Sequence, residues 1–66
     1  MSYLLKALIK KLEGEIAVAL ANIRVYEKMA VGIGEHPDVV EAIETQIEKV
    51  AAAEEKIEMI IKYFSK

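Results

Sequence analysis

The feature that most constrains the fold is a cluster of glycine and proline at the middle of the chain. Gly32, Gly34 and Pro37 fall close together there, whereas Gly14 stands alone. Glycine readily ends a helix, and proline suits the first position of the next one because its missing N–H would have no partner there. The cluster therefore predicts a turn between two segments of nearly equal length, formed by Gly32, Ile33, Gly34, His36 and Pro37.

The segment before this turn repeats its apolar residues at alternating steps of three and four. This spacing is typical of a helix with one buried stripe, and period-two alternation is absent. We therefore expect a first helix over residues 3–31, capped at its start by Ser2. The buried stripe is predicted to contain Leu5, Ile9, Leu12, Ile16, Ala19, Ile23, Tyr26 and Ala30.

The segment after the turn has the same periodicity and predicts a second helix from Pro37 to about residue 65. Asp38 follows in the first turn, where a negative charge complements the helix dipole. Glu54 interrupts the stripe, so Ala53 is expected to take the inward position beside it, and Val39 and Ile60 widen the apolar surface. The predicted stripe contains Val40, Ile43, Ile47, Val50, Ile57, Ile61 and Phe64.

Two such helices joined by a short turn predict an all-α, antiparallel helical hairpin that forms one domain over residues 1–66. Folding back at the turn brings residues to the same level along the two helices. The expected pairs are Leu5 with Phe64, Leu12 with Ile57, Ala19 with Val50, and Tyr26 with Ile43. Small residues around Ala19 then face Val50–Ala53, so the helix axes can approach closely at mid-length.

One hairpin cannot hide all the apolar side chains, because hydrophobic residues make up 55% of this 66-residue chain. A domain of this size buries too little surface to be stable without additional help. We therefore expect a homodimer of hairpins that forms a four-helix bundle. The candidate dimer interface contains Leu4, Leu8, Val18, Val25, Met29, Met59, Ile60 and Tyr63.

Charges are segregated along the hairpin and favour a head-to-tail dimer. The terminal end is basic through Lys6, Lys10, Lys11, Lys56, Lys62 and Lys66, and the turn end is acidic through Glu27, Glu35, Asp38, Glu41, Glu44 and Glu48. In a head-to-tail dimer the basic end of each hairpin lies beside the acidic end of its partner.

The lysines also leave two other binding interpretations open. Lys6, Lys10, Lys11 and Lys62 form a candidate basic patch, which could contact phosphates of nucleic acid or an anionic membrane surface. The formal net charge of −2 argues against nucleic acid. No apolar run is long enough to span a bilayer, and the lysines interrupt the apolar start, so we expect a cytoplasmic protein.

The residues with reactive or metal-binding side chains do not form a recognisable catalytic motif. Cysteine is absent, His36 is the single histidine, and no nucleophile–base pair, phosphate-binding loop or dinucleotide fingerprint is present. His36 with Glu35 and Asp38 could suggest a metal site, but neighbouring groups in one turn converge poorly on one ion. The sequence therefore predicts a protein that is not an enzyme and has no cofactor or bound metal.

Two resemblances add to this interpretation. The length, heptads and central turn resemble Rop, the small RNA-binding hairpin that dimerises into a four-helix bundle, although its RNA-contacting residues have no counterparts here. Val31–Asp38, followed by Val39-Val40-Glu41-Ala42-Ile43, is similar to the turn of small hairpin proteins of tailed phages. That resemblance implies a viral accessory protein in the host cytoplasm and brings no known activity.

We therefore predict a non-enzymatic, homo-oligomerising hairpin that acts as a structural or accessory protein–protein interaction module, with a further protein partner possible. The alternative is a Rop-like nucleic-acid-binding regulator, followed by a protein that lies on the membrane surface.

Overall fold

The computed structural model describes residues 1–31 and 37–65. Two helices make up these residues, α1 (Tyr3–Val31) and α2 (Pro37–Phe64). Both helices begin where the sequence predicted, and α2 ends one residue before the predicted boundary. Pro37 is the first residue of α2, whereas Gly32, Ile33, Gly34, Glu35 and His36 lie outside the described residues, as does Lys66.

Local side-chain chemistry explains the helix ends. The backbone N–H of Leu5 donates to Ser2 Oγ at 3.2 Å, and the N–H of Lys6 donates to the Ser2 carbonyl at 3.0 Å. Ser2 is therefore the N-cap of α1, as predicted. Asp38 lies in the first turn of α2 and Lys62 in its last turn, where each charge complements the helix dipole.

The helices lie side by side and antiparallel, forming a rod whose Cα atoms extend 51 × 14 × 12 Å. The side chains of Asn22 and Gln46 meet across the pair in a hydrogen bond of 3.2 Å. This contact agrees to within one residue with the predicted alignment of the two helices. The antiparallel helical hairpin is therefore confirmed.

The core is a single line of side chains between the two helices. Leu12, Ala53 and Ile60 form its most buried part, and a second set of apolar residues packs around them, comprising Leu5, Ile9, Ile16 and Ile57. Ala19 is also buried, and Ile23 and Tyr26 are half-buried. The predicted stripe of α1 is thus confirmed from Leu5 to Tyr26.

The predicted stripe of α2 is wrong on one of its two rows. Three residues of this row that were expected in the core are more than half exposed, namely Val40, Ile47 and Ile61. Phe64, at the end of the other row, is also more than half exposed. The inward row lies one residue earlier and contains Val39, Gln46, Ala53 and Ile60. The shared row of Ile43, Val50 and Ile57 is half-buried, as predicted.

A specific contact accounts for this rotation of α2. Gln46 is only 8% exposed, and its amide oxygen accepts the hydrogen bond from Asn22. A buried polar group is tolerated when it has such a partner. Phe64, the expected partner of Leu5, is more than half exposed.

Candidate self-association surface

A groove of about 610 Å³ runs along one side of the hairpin at mid-length. Helix α1 supplies most of its lining, through Lys11, Gly14, Glu15, Val18, Ala19 and Asn22, and α2 supplies Gln46 and Lys49. We call this side of the hairpin the groove face. Long side chains such as Lys11 and Lys49 border the groove, and small residues lie between them. This shape suits an inserted side chain better than an enclosed ligand.

Two small residues, Gly14 and Ala19, line the groove on α1. Ala19 lies between the helices and is 1% exposed. A Cβ atom added to Gly14 would meet no atom within 4 Å. The middle of α1 therefore leaves room for another helix to approach.

The charges at the groove are arranged in local pairs. Lys11 Nζ donates to Glu15 Oε2 at 2.8 Å. This hydrogen bond, together with the charge of Lys11, lowers the pKa of the Glu15 carboxyl; burial opposes the shift, and the charge of Lys56 from α2 adds a smaller favourable effect. The polar middle of the groove face is therefore largely neutralised within one chain.

Most of the predicted interface lies on the groove face. Leu4 and Val25 are one heptad away from Lys11 and Val18 along α1, and Leu8 and Met29 are one heptad away from Glu15 and Asn22. On α2, Tyr63 lies two heptads after Lys49, and Met59 is one turn before Tyr63. All seven large apolar residues of this face are exposed: Leu4, Leu8, Val18, Val25, Met29, Met59 and Tyr63.

Ile60 differs from the rest of the predicted interface. It is 7% exposed and belongs to the core cluster with Leu12 and Ala53. The inward rotation of α2 places Ile60 against α1, so this side chain stabilises the hairpin and is not available at its surface.

The opposite side of the hairpin, which we call the far face, is less apolar. Leu20 and Ile47 belong to it, because each is two residues, or 200° of rotation, from a groove residue, Val18 in α1 and Lys49 in α2. Val40 and Ile61 share the row of Ile47. The far face thus exposes four large apolar side chains on these rows, compared with seven on the groove face.

The hairpin exposes more surface than a compact protein of its mass. Its accessible surface is 5211 Å², whereas a compact monomer of 7.4 kDa exposes about 4,200 Å². The excess of roughly 1,000 Å² is close to the ~800 Å² that each partner contributes to a standard interface. A second layer of helices would cover an area of this size.

Two lysines of the candidate basic patch pair with acidic residues on their own helix. Lys10 Nζ lies 3.7 Å from Glu13 Oε1, and Lys11 is paired with Glu15 in the groove. Lys62 Nζ lies 5.3 Å from the centre of the Tyr63 ring. Two of the four lysines thus have an acidic neighbour on their own helix, which weakens their attraction for phosphates.

Two further properties of the described residues bear on function. Within residues 1–31 and 37–65, no three His, Cys, Asp or Glu side chains are grouped so that they could hold a metal ion. Neither helix, over the part that the structure describes, is apolar enough along its length to cross a membrane.

Six residues of the groove were not predicted as functional: Gly14, Glu15, Ala19, Asn22, Gln46 and Lys49. A signal for Asn22 existed in the sequence, since it occupies the row of Leu8 and Met29 on α1. For Gln46 and Lys49 the signal was hidden, because the positions of their two rows became apparent only with the rotation of α2.

No protein-family model, curated protein or solved structure matches the chain. The resemblance to hairpin proteins of tailed phages therefore stays a prediction.

Proposed function

We propose that the protein is a non-enzymatic helical hairpin that associates with a second copy through its groove face and acts as a structural or accessory interaction module. The observation that supports this proposal is the set of seven exposed large apolar side chains on one face of the hairpin, more than on the rows of the far face. Exposed apolar surface on this scale marks a protein–protein contact.

The total accessible surface of the hairpin is large enough to accommodate one partner of similar size. The excess of about 1,000 Å² over a compact monomer matches what one subunit contributes to a dimer. Burial of that area would stabilise a small domain whose own core contains only one line of side chains. A four-helix bundle is the closed arrangement that results from two stacked hairpins.

The charge distribution supports a head-to-tail orientation. Lys6, Lys10 and Lys11 are near the free end of the rod, and Glu41 and Glu44 are near the turn. Reversing the second hairpin brings opposite charges together, whereas a parallel dimer would bring like charges together at both ends.

A pair of matched variants tests which face associates. Val25 on the groove face is 54% exposed and Ile47 on the far face is 53% exposed, so neither belongs to the core. We expect Val25→Glu to convert a dimer into a monomer, because a charge would be buried without a partner. Ile47→Glu should leave the dimer intact. Sedimentation equilibrium at micromolar concentration gives the masses, and circular dichroism shows whether each variant stays helical.

The masses of the wild type and the two variants decide the outcome. A wild-type protein that is monomeric would overturn self-association. A dimer that Ile47→Glu dissociates and Val25→Glu does not would place the contact on the far face and overturn the assignment to the groove face.

A further inference from the structure

We infer that the two groove faces meet so that α1 packs antiparallel against α1 of the second copy and α2 against its counterpart, with Leu8 beside Val25 of the second copy. This inference rests on the proposed self-association and adds the pairing of residues across the contact. Stacking two hairpins face to face in opposite directions necessarily places like helix on like helix.

The groove face of α1 contains two rows that run side by side along the helix. One row contains Leu4, Lys11, Val18 and Val25, and the other contains Leu8, Glu15, Asn22 and Met29. When α1 packs antiparallel on α1 of the second copy, each row of one helix faces the other row of the second helix. If the midpoint of this contact lies between Ile16 and Ala17, Leu4 of one copy faces Met29 of the other. Leu8 then faces Val25 of the other copy.

This alignment places the apolar residues at the ends of the contact against one another, with one mixed contact of Glu15 with Val18 at its centre. The two bulky pairs lie at both ends of the α1 contact, and Lys11 faces Asn22 near the middle. An interface with apolar ends and a polar centre leaves no large side chain of this face uncovered.

Helix α2 gives the same alignment independently. Its groove-face rows contain Ala42, Thr45, Lys49, Ala52, Lys56, Met59 and Tyr63. Centring the antiparallel contact between Val50 and Ala51 places Met59 against Ala42 and Lys56 against Thr45, so large residues meet small ones. A shift by one residue would break both pairings.

The two centres agree with the geometry of the hairpin. The hydrogen bond from Asn22 to Gln46 sets the level of one helix relative to the other. From this contact, the point between Ile16 and Ala17 lies level with the point between Ala51 and Ala52. The α2 centre is one residue away, or about 1.5 Å. The two centres therefore agree to within one residue, and the hairpin must adjust by about that distance to make both contacts.

Charge at the edge of the contact contributes less than the apolar ends. The antiparallel alignment brings Lys62 within reach of Glu41 of the second copy, but it also brings Glu48 towards Glu55. Attraction and repulsion along this edge offset each other. Exposed pairs of this kind contribute about 0–1 kcal/mol each, so the apolar pairs carry the affinity.

Cysteine cross-linking tests this pairing in the full chain, which has no cysteine of its own. In the double variant Leu8→Cys/Val25→Cys, the two positions lie on one helix about 26 Å apart. A disulfide requires Cα atoms within about 7 Å, so a bridge between them can join only two copies. We expect mild oxidation to convert most of the double variant into covalent dimers, and the helicity of both forms to match the wild type.

The single variants Leu8→Cys and Val25→Cys are the matched controls. Each should remain largely uncross-linked, because the antiparallel arrangement keeps identical positions far apart. A dimeric double variant that forms no bridge, or single variants that bridge as completely as the double variant, would overturn the pairing while leaving self-association intact. A wild-type chain that stays monomeric at the same concentration would overturn both.

Discussion

The side-chain amide of Asn22 donates a hydrogen bond of 3.2 Å to Oε1 of Gln46 and joins the two helices at the edge of the groove. Gln46 is the buried polar residue among those the structure describes. Its row on α2 otherwise contains Val39, Ala53 and Ile60, all wholly or partly buried. The pair therefore sets the rotation of α2 and the level at which the helices meet.

Removing one member of this pair should destabilise the hairpin more than removing both. We expect Asn22→Ala to lower the free energy of unfolding by about 1–3 kcal/mol, because the buried Gln46 amide loses its partner. Asn22→Leu/Gln46→Leu should be as stable as the wild type or more so, since both groups become apolar. Urea denaturation of Asn22→Leu, Gln46→Leu and the double variant gives the free energies for a double-mutant cycle. If the effects of the two single substitutions add up to that of the double variant, the two side chains do not interact.

The small residues at the contact between the helices should not tolerate enlargement. Ala53 is 2% exposed, so Ala53→Leu forces the helices apart and should destabilise the protein by about 1–3 kcal/mol. Ala51, two residues away on the same helix, is exposed and provides the matched control Ala51→Leu. Thermal unfolding followed by circular dichroism gives both values. Equal effects of the two substitutions would contradict close packing at Ala53.

Glu15 should titrate below the ordinary range of a glutamate. The hydrogen bond from Lys11, and then its charge, lower the pKa of the Glu15 carboxyl. Because the folded pKa is lower than the unfolded one, this ion pair stabilises the fold above the unfolded pKa. The contribution is lost as the pH falls through the folded pKa.

A carboxyl titration by nuclear magnetic resonance measures this directly. The substitution Lys11→Gln should raise the Glu15 pKa towards its usual value. Lys10→Gln is the matched control, since Lys10 faces Glu13 instead. An unchanged Glu15 pKa in the Lys11 variant would show that the pair does not form in solution.

Gly14 should be replaceable by alanine with a gain in stability of the hairpin. An added Cβ would meet nothing within 4 Å, and glycine in a helix interior costs about 0.5–1 kcal/mol relative to alanine. Chemical denaturation of Gly14→Ala should therefore show an increase of that size. A decrease would indicate that another helix packs too closely on Gly14 to admit the methyl group.

The sequence was sufficient to predict the two helices, their boundaries and the inward stripe of α1. It failed on one row of α2, for a physical reason. Ile47 is far more hydrophobic than Gln46, so a pattern of apolar residues favours Ile47 as the buried one. Gln46 can lie inward because its amide oxygen accepts a hydrogen bond from Asn22, a contact across the hairpin that the apolar pattern does not show.

The exposed apolar residues of α1 could also be recognised from the sequence, whereas their role in an interface stays a prediction. The apolar rows of α1 that face away from the core follow from its well-predicted stripe, so Leu4, Leu8, Val18, Val25 and Met29 were all recognised. Ile60 was expected at the surface because the row containing Ile61 was expected to face α1. The groove itself could not be predicted, since its shape requires the relative positions of both helices.

The most direct test of the central claim is the mass of the wild-type chain in solution. Multi-angle light scattering at micromolar concentrations should give twice the 7.4 kDa of a single chain, with dissociation on dilution. A mass of 7.4 kDa throughout that range would show that the exposed apolar face does not bind a second copy and would contradict the account.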